Sequence, residues 1–204
     1  MYLVKTPKVL KRTYPKYVWD FTSIEKTIYL TFDDGPTPEI TSWVLDELKK
    51  YNAKATFFCI GKNVEQHPDL FNHILAQEHA VGNHTYNHLN GWETKSFPYL
   101  KDVVKCSKVF QSTLFRPPYG KLTRFQAKAI LSDYTIIMWD VLSADFDKNC
   151  SPEKCLKNVL QNAKKGSIVV FHDSLKAEKN LKYTLPKVLE HFTKLGFQFK
   201  AITN

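Results

Sequence analysis

Two adjacent carboxylates at the end of an apolar run are the first feature of this sequence that can do chemistry. Ile28-Tyr29-Leu30-Thr31-Phe32 runs into Asp33-Asp34 and then Gly35-Pro36. The run has the composition of a buried strand, and Gly-Pro that of a turn. Neighbouring side chains on an extended chain point opposite ways, so the two carboxylates are available for different tasks. Turn chemistry alone accounts for Gly35 and Pro36; the argument for a site comes from downstream. His84 and His88 lie four residues apart. In a helical turn that spacing sets two imidazoles on one face, within reach of one cation. Read alone, the pair also fits two polar loop residues. Position 85 is Thr, so the His-Glu-x-x-His zinc motif is absent and the turn brings no general base of its own. One carboxylate from elsewhere must complete three ligands, leaving room for water as catalytic zinc requires. A second must move protons, and Asp33 and Asp34 supply both. A metal held this way lowers the pKa of its water toward neutrality.

The elements that must bring these groups together are legible in outline. Helical periodicity follows the carboxylates, with Ile40, Val44, Leu48 and Tyr51 on one stripe. Ala55–Ile60 reads as a second buried strand. A helix is expected over Asp69–Glu78 with Leu70, Phe71, Ile74 and Leu75 inward, and then a strand over His79–Gly82. Pro98–Phe110 fits a helix carrying Leu100, Val103, Val104 and Phe110. Leu114–Arg116 reads as a short strand, Thr123–Leu131 as a weaker helix and Tyr134–Trp139 as a strand. Ser151 with Pro152 starts another helix, with Leu156, Val159 and Leu160 inward. Ser167–Phe171 is a strand ending at His172-Asp173. The last helix carries Leu185, Val188, Leu189, Phe192 and Leu195 and stops at Gly196. Phe197–Ile202 closes as a strand. Such alternation argues for a parallel α/β architecture, either a barrel or an open sheet. In a parallel barrel the strand exits gather on one face. Asp33, Asp34, His84, His88, Arg116 to Tyr119, Asp140, Asp145 and His172 all follow expected strands and would meet there.

Four stretches in this order, Thr31-Phe32-Asp33-Asp34-Gly35-Pro36, His84-Thr85-Tyr86-Asn87-His88, Arg116-Pro117-Pro118-Tyr119 and His172-Asp173, resemble the polysaccharide deacetylases, the NodB-like or carbohydrate esterase four family. The resemblance spans about residues 26 to 203 and includes Ala55-Thr56-Phe57-Phe58 to Pro68. It implies an α/β fold, a distorted (β/α) barrel with about seven parallel strands, and removal of acetate from N-acetylated sugars. By motif match, Asp34, His84 and His88 would hold a divalent metal, Zn2+ foremost, with Co2+ or another transition metal as alternatives. Asp33 would be the general base and Arg116 would hold it ionised. The Tyr119 backbone N–H would help stabilise the oxyanion, and His172 would be the general acid, oriented by Asp145. Pro118, Tyr119, Phe146 and Val170 match substrate-binding positions. Two of these depart from the family pattern: Phe146 stands for its usual tryptophan, and Val170 for its usual leucine. In Leu142-Ser143-Ala144-Asp145-Phe146, which matches the family's Asp-x-x-Asp-Trp motif, Leu142 replaces the first aspartate. The implied substrate is a glycan carrying N-acetylglucosamine, whether peptidoglycan, chitin-type oligomer or lipid-linked sugar. The rival expectations are a non-catalytic glycan- or metal-binding module and an amidase of small amides. Asp173 is expected to cap a helix or support the site, and Asp140 to be structural. His67, His73, His79 and His191 read as surface or packing residues.

Bulk properties bound these readings. The chain has 204 residues, 43% hydrophobic and 24% charged, enough for one domain with a substantial core. The expected division is a basic, aromatic arm over 1–25, irregular and packed on the domain, and a NodB-like domain over 26–204. Lys5, Lys8, Lys11, Arg12 and Lys16 in the arm, with a net charge of +9, favour anionic surroundings such as wall polymer or lipid headgroups. No helix-turn-helix or RNA-binding signature supports nucleic acid as a partner. No apolar run is long enough to span a membrane, and no charged-then-apolar leader opens the chain. The expectation is a monomer in the cytoplasm or at a membrane periphery, or outside the cytoplasm where a leader has been removed. Cys59 and Cys106 read as buried small hydrophobes. Cys150 and Cys155 are close enough in sequence to pair in an oxidising compartment, and no Cys-x-x-Cys is present.

Overall fold

The apolar run that ends in the two carboxylates is the central strand, β1 (Thr27–Asp33), buried along nearly its whole length. The structure is a computed structural model and describes residues 2–22 and 25–203; residues 1, 23 and 24 of the arm and residue 204 lie outside it. In chain order, α1 (Lys8–Thr13) precedes β1, and α2 (Ile40–Lys50), β2 (Thr56–Cys59), α3 (Gly61–Gln66), α4 (Pro68–Ala76) and β3 (Ala80–Asn83) follow it. Then come α5 (Ser96–Ser107), β4 (Leu114–Phe115), α6 (Arg124–Ile130), β5 (Thr135–Ile136) and β6 (Val141–Leu142). The chain closes with α7 (Pro152–Asn162), β7 (Ile168–His172), α8 (Glu178–Lys194) and β8 (Gln198–Phe199). The sheet runs β5-β4-β3-β2-β1-β7-β6, with β8 added beside the start of β1. Its strand pairs are parallel, and its path of seven strands makes the distorted (β/α) barrel.

Alternation along the strands separates two cores. Phe32, Phe57 and Phe171 turn outward, their rings 5.0 and 6.0 Å apart, and pack with Val44 and Leu48 of α2 and Leu185 and Val188 of α8. Phe58, Leu114, Ile137 and Ile168 turn the other way and fill the barrel interior. Register then carries chemistry to the interior face. Asp33 pairs with His172, and Thr31 with Val170, across β1 and β7.

The arm is not wholly irregular, since it contains α1, and it bridges the open seam between β5 and β6. Val18 N–H donates to the Ile136 carbonyl at 2.9 Å, and Met138 N–H donates to Val18 at 2.7 Å. Leu142 N–H donates to Val4 at 2.8 Å and Thr6 N–H to Asp140 at 2.9 Å. These pairings explain why Tyr134–Trp139 yields only a two-residue strand: its later residues bond to the arm. The strand β6 and helix α3 are elements that periodicity did not reveal, because each is too short to show a period. Leu75, Val104 and Leu195 point to solvent rather than inward. In α5 the buried stripe passes through Tyr99, Asp102, Val103 and Cys106 instead, because Asp102 is needed by a neighbouring loop.

Candidate active site

Asp33, Asp34, His84, His88, Arg116, Asp145 and His172 converge at the exits of β1, β3, β4, β6 and β7. Asp34, His84 and His88 present one ligand atom each, all within 4.8 Å of one another. His88 Nε2 lies 3.1 Å and His84 Nε2 3.7 Å from Asp34 Oδ1. Tetrahedral ligands at 2.0–2.1 Å from one dication stand about 3.4 Å apart, so the spacing fits. The donors fit as well. Burial, outweighing Asp33, pulls His84 down to about 4, so its ring is neutral. Its Nδ1 bonds to the Arg116 carbonyl at 2.7 Å, which leaves Nε2 for a cation. Burial opposes ionisation of Asp34. The His88 hydrogen bond and the charges of His172, His84 and His88 outweigh it and hold the carboxyl well below the usual range. Lys176 Nζ also reaches Asp34 Oδ2, at 2.7 Å.

The two imidazoles do not share a helical face. They sit on a loop after β3 in which Thr85 and His88 have left-handed backbone, φ 63° and 58°. The loop is held by Asp102 of α5, whose carboxylate accepts from the amides of Tyr86 and Asn87, both at 2.9 Å. Asn83 Oδ1 accepts from Thr85 N–H at 2.8 Å. Asp34 itself takes φ 81°, and its carbonyl accepts from Asn63 Nδ2 at 2.8 Å.

Arg116 is fully buried and faces Asp33, as the motif match implies. Its Nη1 donates to Asp33 Oδ1 at 2.6 Å and to Thr31 Oγ1 at 2.8 Å. Nε and Nη2 donate to the carbonyls of Ile137 and Met138, and the guanidinium lies 4.0 Å over the Phe58 ring. Bonds from all three guanidinium nitrogens thus fix the orientation of the one N–H that reaches Asp33.

His172 Nδ1 bonds Asp145 Oδ1 at 2.8 Å, and its backbone N–H donates to Asp145 Oδ2 at 2.7 Å. Burial would lower the imidazole's pKa, but Asp145, then Asp34 and Asp33, lift it to about 9. Asp173 does not cap a helix. It is fully buried beneath the β1 turn, where it accepts from Gly35 N–H at 3.1 Å and Thr41 Oγ1 at 2.5 Å. Burial raises it to about 8. A Cβ on Gly35 would lie 2.0 Å from that carboxyl, so no larger residue fits there.

Among the substrate-binding candidates, Pro118 is buried, and Tyr119 takes φ 60° and sets its exposed ring tilted against His88, centroids 4.7 Å apart. Phe146 lies edge-on to His172 at 5.0 Å and to Tyr2 of the arm at 5.5 Å. Val170 is buried below the Asp33–His172 pair, beside Leu142. A cavity of about 400 Å³ opens beside Tyr119 and Leu142, walled by Tyr14, Trp19, Trp92 and Trp139. Asp140 is structural: Lys5, Lys11 and Ser167 surround its carboxylate at 2.6, 2.5 and 2.6 Å. Thr31, Asn83, Asp102 and Lys176 were not singled out by sequence. Only Asp102 left a signal there, a lone acid on the apolar stripe of its helix.

A curled parallel sheet with two imidazoles, two carboxylates and an acid–base pair at the strand exits defines a hydrolase of the metal-dependent class. The family model for polysaccharide deacetylases matches residues 22–135. A peptidoglycan-N-acetylglucosamine deacetylase of Bacillus cereus is 35% identical over 192 residues, 91% of this chain and 90% of its own. The peptidoglycan-N-acetylglucosamine deacetylase PgdA of Listeria monocytogenes is 34% identical over 98% of this chain, which spans 41% of that protein. The crystal structure of the Bc1960 peptidoglycan N-acetylglucosamine deacetylase with an aryl hydroxamate superposes with a TM-score of 0.88 at 30% identity, covering 97% of this chain and 95% of that one. The chain belongs to the polysaccharide deacetylase family.

Proposed function

We propose that this chain is a metal-dependent deacetylase that removes acetyl groups from N-acetylglucosamine units of a glycan, with peptidoglycan as its substrate. The observation that carries the reading is the Asp33–His172 pair: a base and an acid in register on neighbouring strands, beside a three-ligand cluster. Asp34, His84 and His88 would hold the divalent metal, and their one carboxylate and two imidazoles favour zinc over the hard oxygen-loving cations. A cation bound there acidifies water and polarises the acetamide carbonyl.

The protein's own groups divide the remaining work. Asp33 takes the proton of the attacking water, and Arg116 holds its carboxylate in one orientation. The Tyr119 amide, turned by its left-handed backbone, donates toward the developing oxyanion. His172 enters protonated, because Asp145 favours the imidazolium, and gives its proton to the departing amine. Phe146, Val170 and Leu142 shape the acetyl end of the site. The aromatic cavity beside Tyr119 suits the flat faces of neighbouring sugars.

The net charge of +9 suits work against an anionic surface, wall polymer or lipid headgroups. The test is acetate release from chitooligosaccharides and from purified peptidoglycan, by protein stripped with a chelator and reloaded with zinc or cobalt. Turnover restored by the metal and faster on peptidoglycan is expected. Failure to release acetate from any N-acetylated glycan would sink the reading.

A further inference from the structure

Cys150 and Cys155 take no part in the site above, and their geometry sets them apart from the other two cysteines. Their sulfurs stand 3.4 Å apart, both thiols free and both buried. Cys150 precedes the Ser151 cap of α7, and Cys155 lies in the first turns of that helix, so the capped helix fixes one sulfur beside the other. Ala144 and Tyr2 close over the pair. We propose that Cys150 and Cys155 form an intramolecular disulfide, and that this bond staples the loop that carries Asp145 and Phe146 to the start of α7.

The bond requires the sulfurs to approach from 3.4 Å to about 2.05 Å, a shift within the reach of side-chain rotation. The oxidant is a small disulfide such as oxidised glutathione. One cysteine thiolate attacks it and expels one thiolate; the second attacks the mixed disulfide and expels the other. Two cysteine protons are released, and two electrons pass to the oxidant, which leaves as two thiols. Burial and the neighbouring Cys150 push the Cys155 thiol upward, so the folded pair reacts slowly and closure belongs to the folding chain.

The staple's position gives it consequence. Asn180 Nδ2 already ties the carbonyls of Asp145 and Cys150 together, at 3.0 and 3.1 Å. Tyr2 hydroxyl donates to Asp147 Oδ2 at 2.7 Å and anchors the arm on the same loop. A covalent link at Cys150 removes the loop's freedom to open away from His172.

The experiment refolds the full chain from denaturant in a glutathione redox buffer and, in parallel, in dithiothreitol. Free thiols are counted in denaturant, disulfide peptides are mapped by mass spectrometry, and amide exchange is followed over residues 143–155. The expected result is two thiols lost in the oxidised sample, a linked 150–155 peptide, a Tm higher by about 5 °C and exchange in the loop about tenfold slower. Cys155→Ala should keep three thiols under both conditions, and Cys59→Ala should still close the bond. Four thiols surviving oxidative refolding, pairing through Cys59 or Cys106, or unchanged loop exchange in the bonded form would each overturn the proposal. These readouts do not depend on deacetylase activity, so the inference stands or falls apart from the proposed function.

Discussion

At the scale of single residues, the site works by keeping opposite charges in fixed pairs. Asp33 and Arg116 form one, both buried, with the guanidinium's other donors on Thr31 and two carbonyls. Replacing Arg116 with Lys keeps the charge but loses the planar fork. The expected outcome is a fall in kcat of about a hundredfold or more, with zinc content unchanged, measured by steady-state kinetics beside metal analysis. Asp33→Asn should lower kcat by about 10²–10⁴-fold and likewise keep the metal. His172 and Asp145 form the second pair. In metal-free protein, the His172 ring should titrate near pH 9 by proton NMR, and Asp145→Asn should lower that midpoint, since burial is then opposed only by the more distant Asp34 and Asp33. The sign follows for stability. A folded pKa raised to about 9 over an unfolded 6.5 stabilises the protein fully below pH 6.5, and that contribution fades as pH rises through 9. A midpoint that ignores the Asp145 substitution would remove Asp145 from its positioning role.

Elements act on the site mainly through backbone, which is why part of it was hidden in the sequence. The Asp102 carboxylate of α5 sits on two amides of the His84–His88 loop and on Asn87 Nδ2. Asp102→Ala leaves the buried Tyr86 amide unpaired, while the Asn87 amide can turn to water, and should cost about 2 kcal/mol in urea denaturation. Because the loop sets His88, metal affinity should fall about 10- to 100-fold, read by competitive titration with a chelating dye. Full affinity in a folded Asp102→Ala protein would show that the loop holds its shape alone. Asp33, Asp34, His84, His88, Arg116, Asp145 and His172 stood out in the sequence as chemically distinctive side chains at or shortly after expected strand exits, and the family motifs suggested their roles. Asp102 and Asn83 were not, because they act on amides that carry no sequence mark. The helical face expected for His84 and His88 also failed for a physical reason. Left-handed residues at 85 and 88 do not need glycine when neighbouring side chains hold the turn. Strands of two residues, such as β6, leave no alternation to read.

At the scale of the whole molecule, the arm completes the barrel, and its basic residues are partly structural rather than free for an anionic partner. Lys5 and Lys11 both reach the fully buried Asp140, which also takes the Ser167 hydroxyl. Trp19 packs on Ile136 and Met138 at the seam. The seam pairing came from positions with no sequence alternation, so only the arm's composition was legible beforehand. Replacing Lys5 and Lys11 together with Met strands a buried carboxylate and should cost about 3–5 kcal/mol at neutral pH. The loss should depend on pH in a definite direction. Burial raises the Asp140 pKa, but Lys11, Lys5 and Ser167 outweigh it and hold the carboxyl below its ordinary value. Its stabilising contribution is therefore complete above about pH 4 and fades as pH falls through the lowered folded value. The gap in stability between the native chain and the double variant should be widest near neutrality and close in acid, in urea melts taken across that range. A gap that stays constant down to acid pH would mean the lysines stabilise by packing their stems, not by charge.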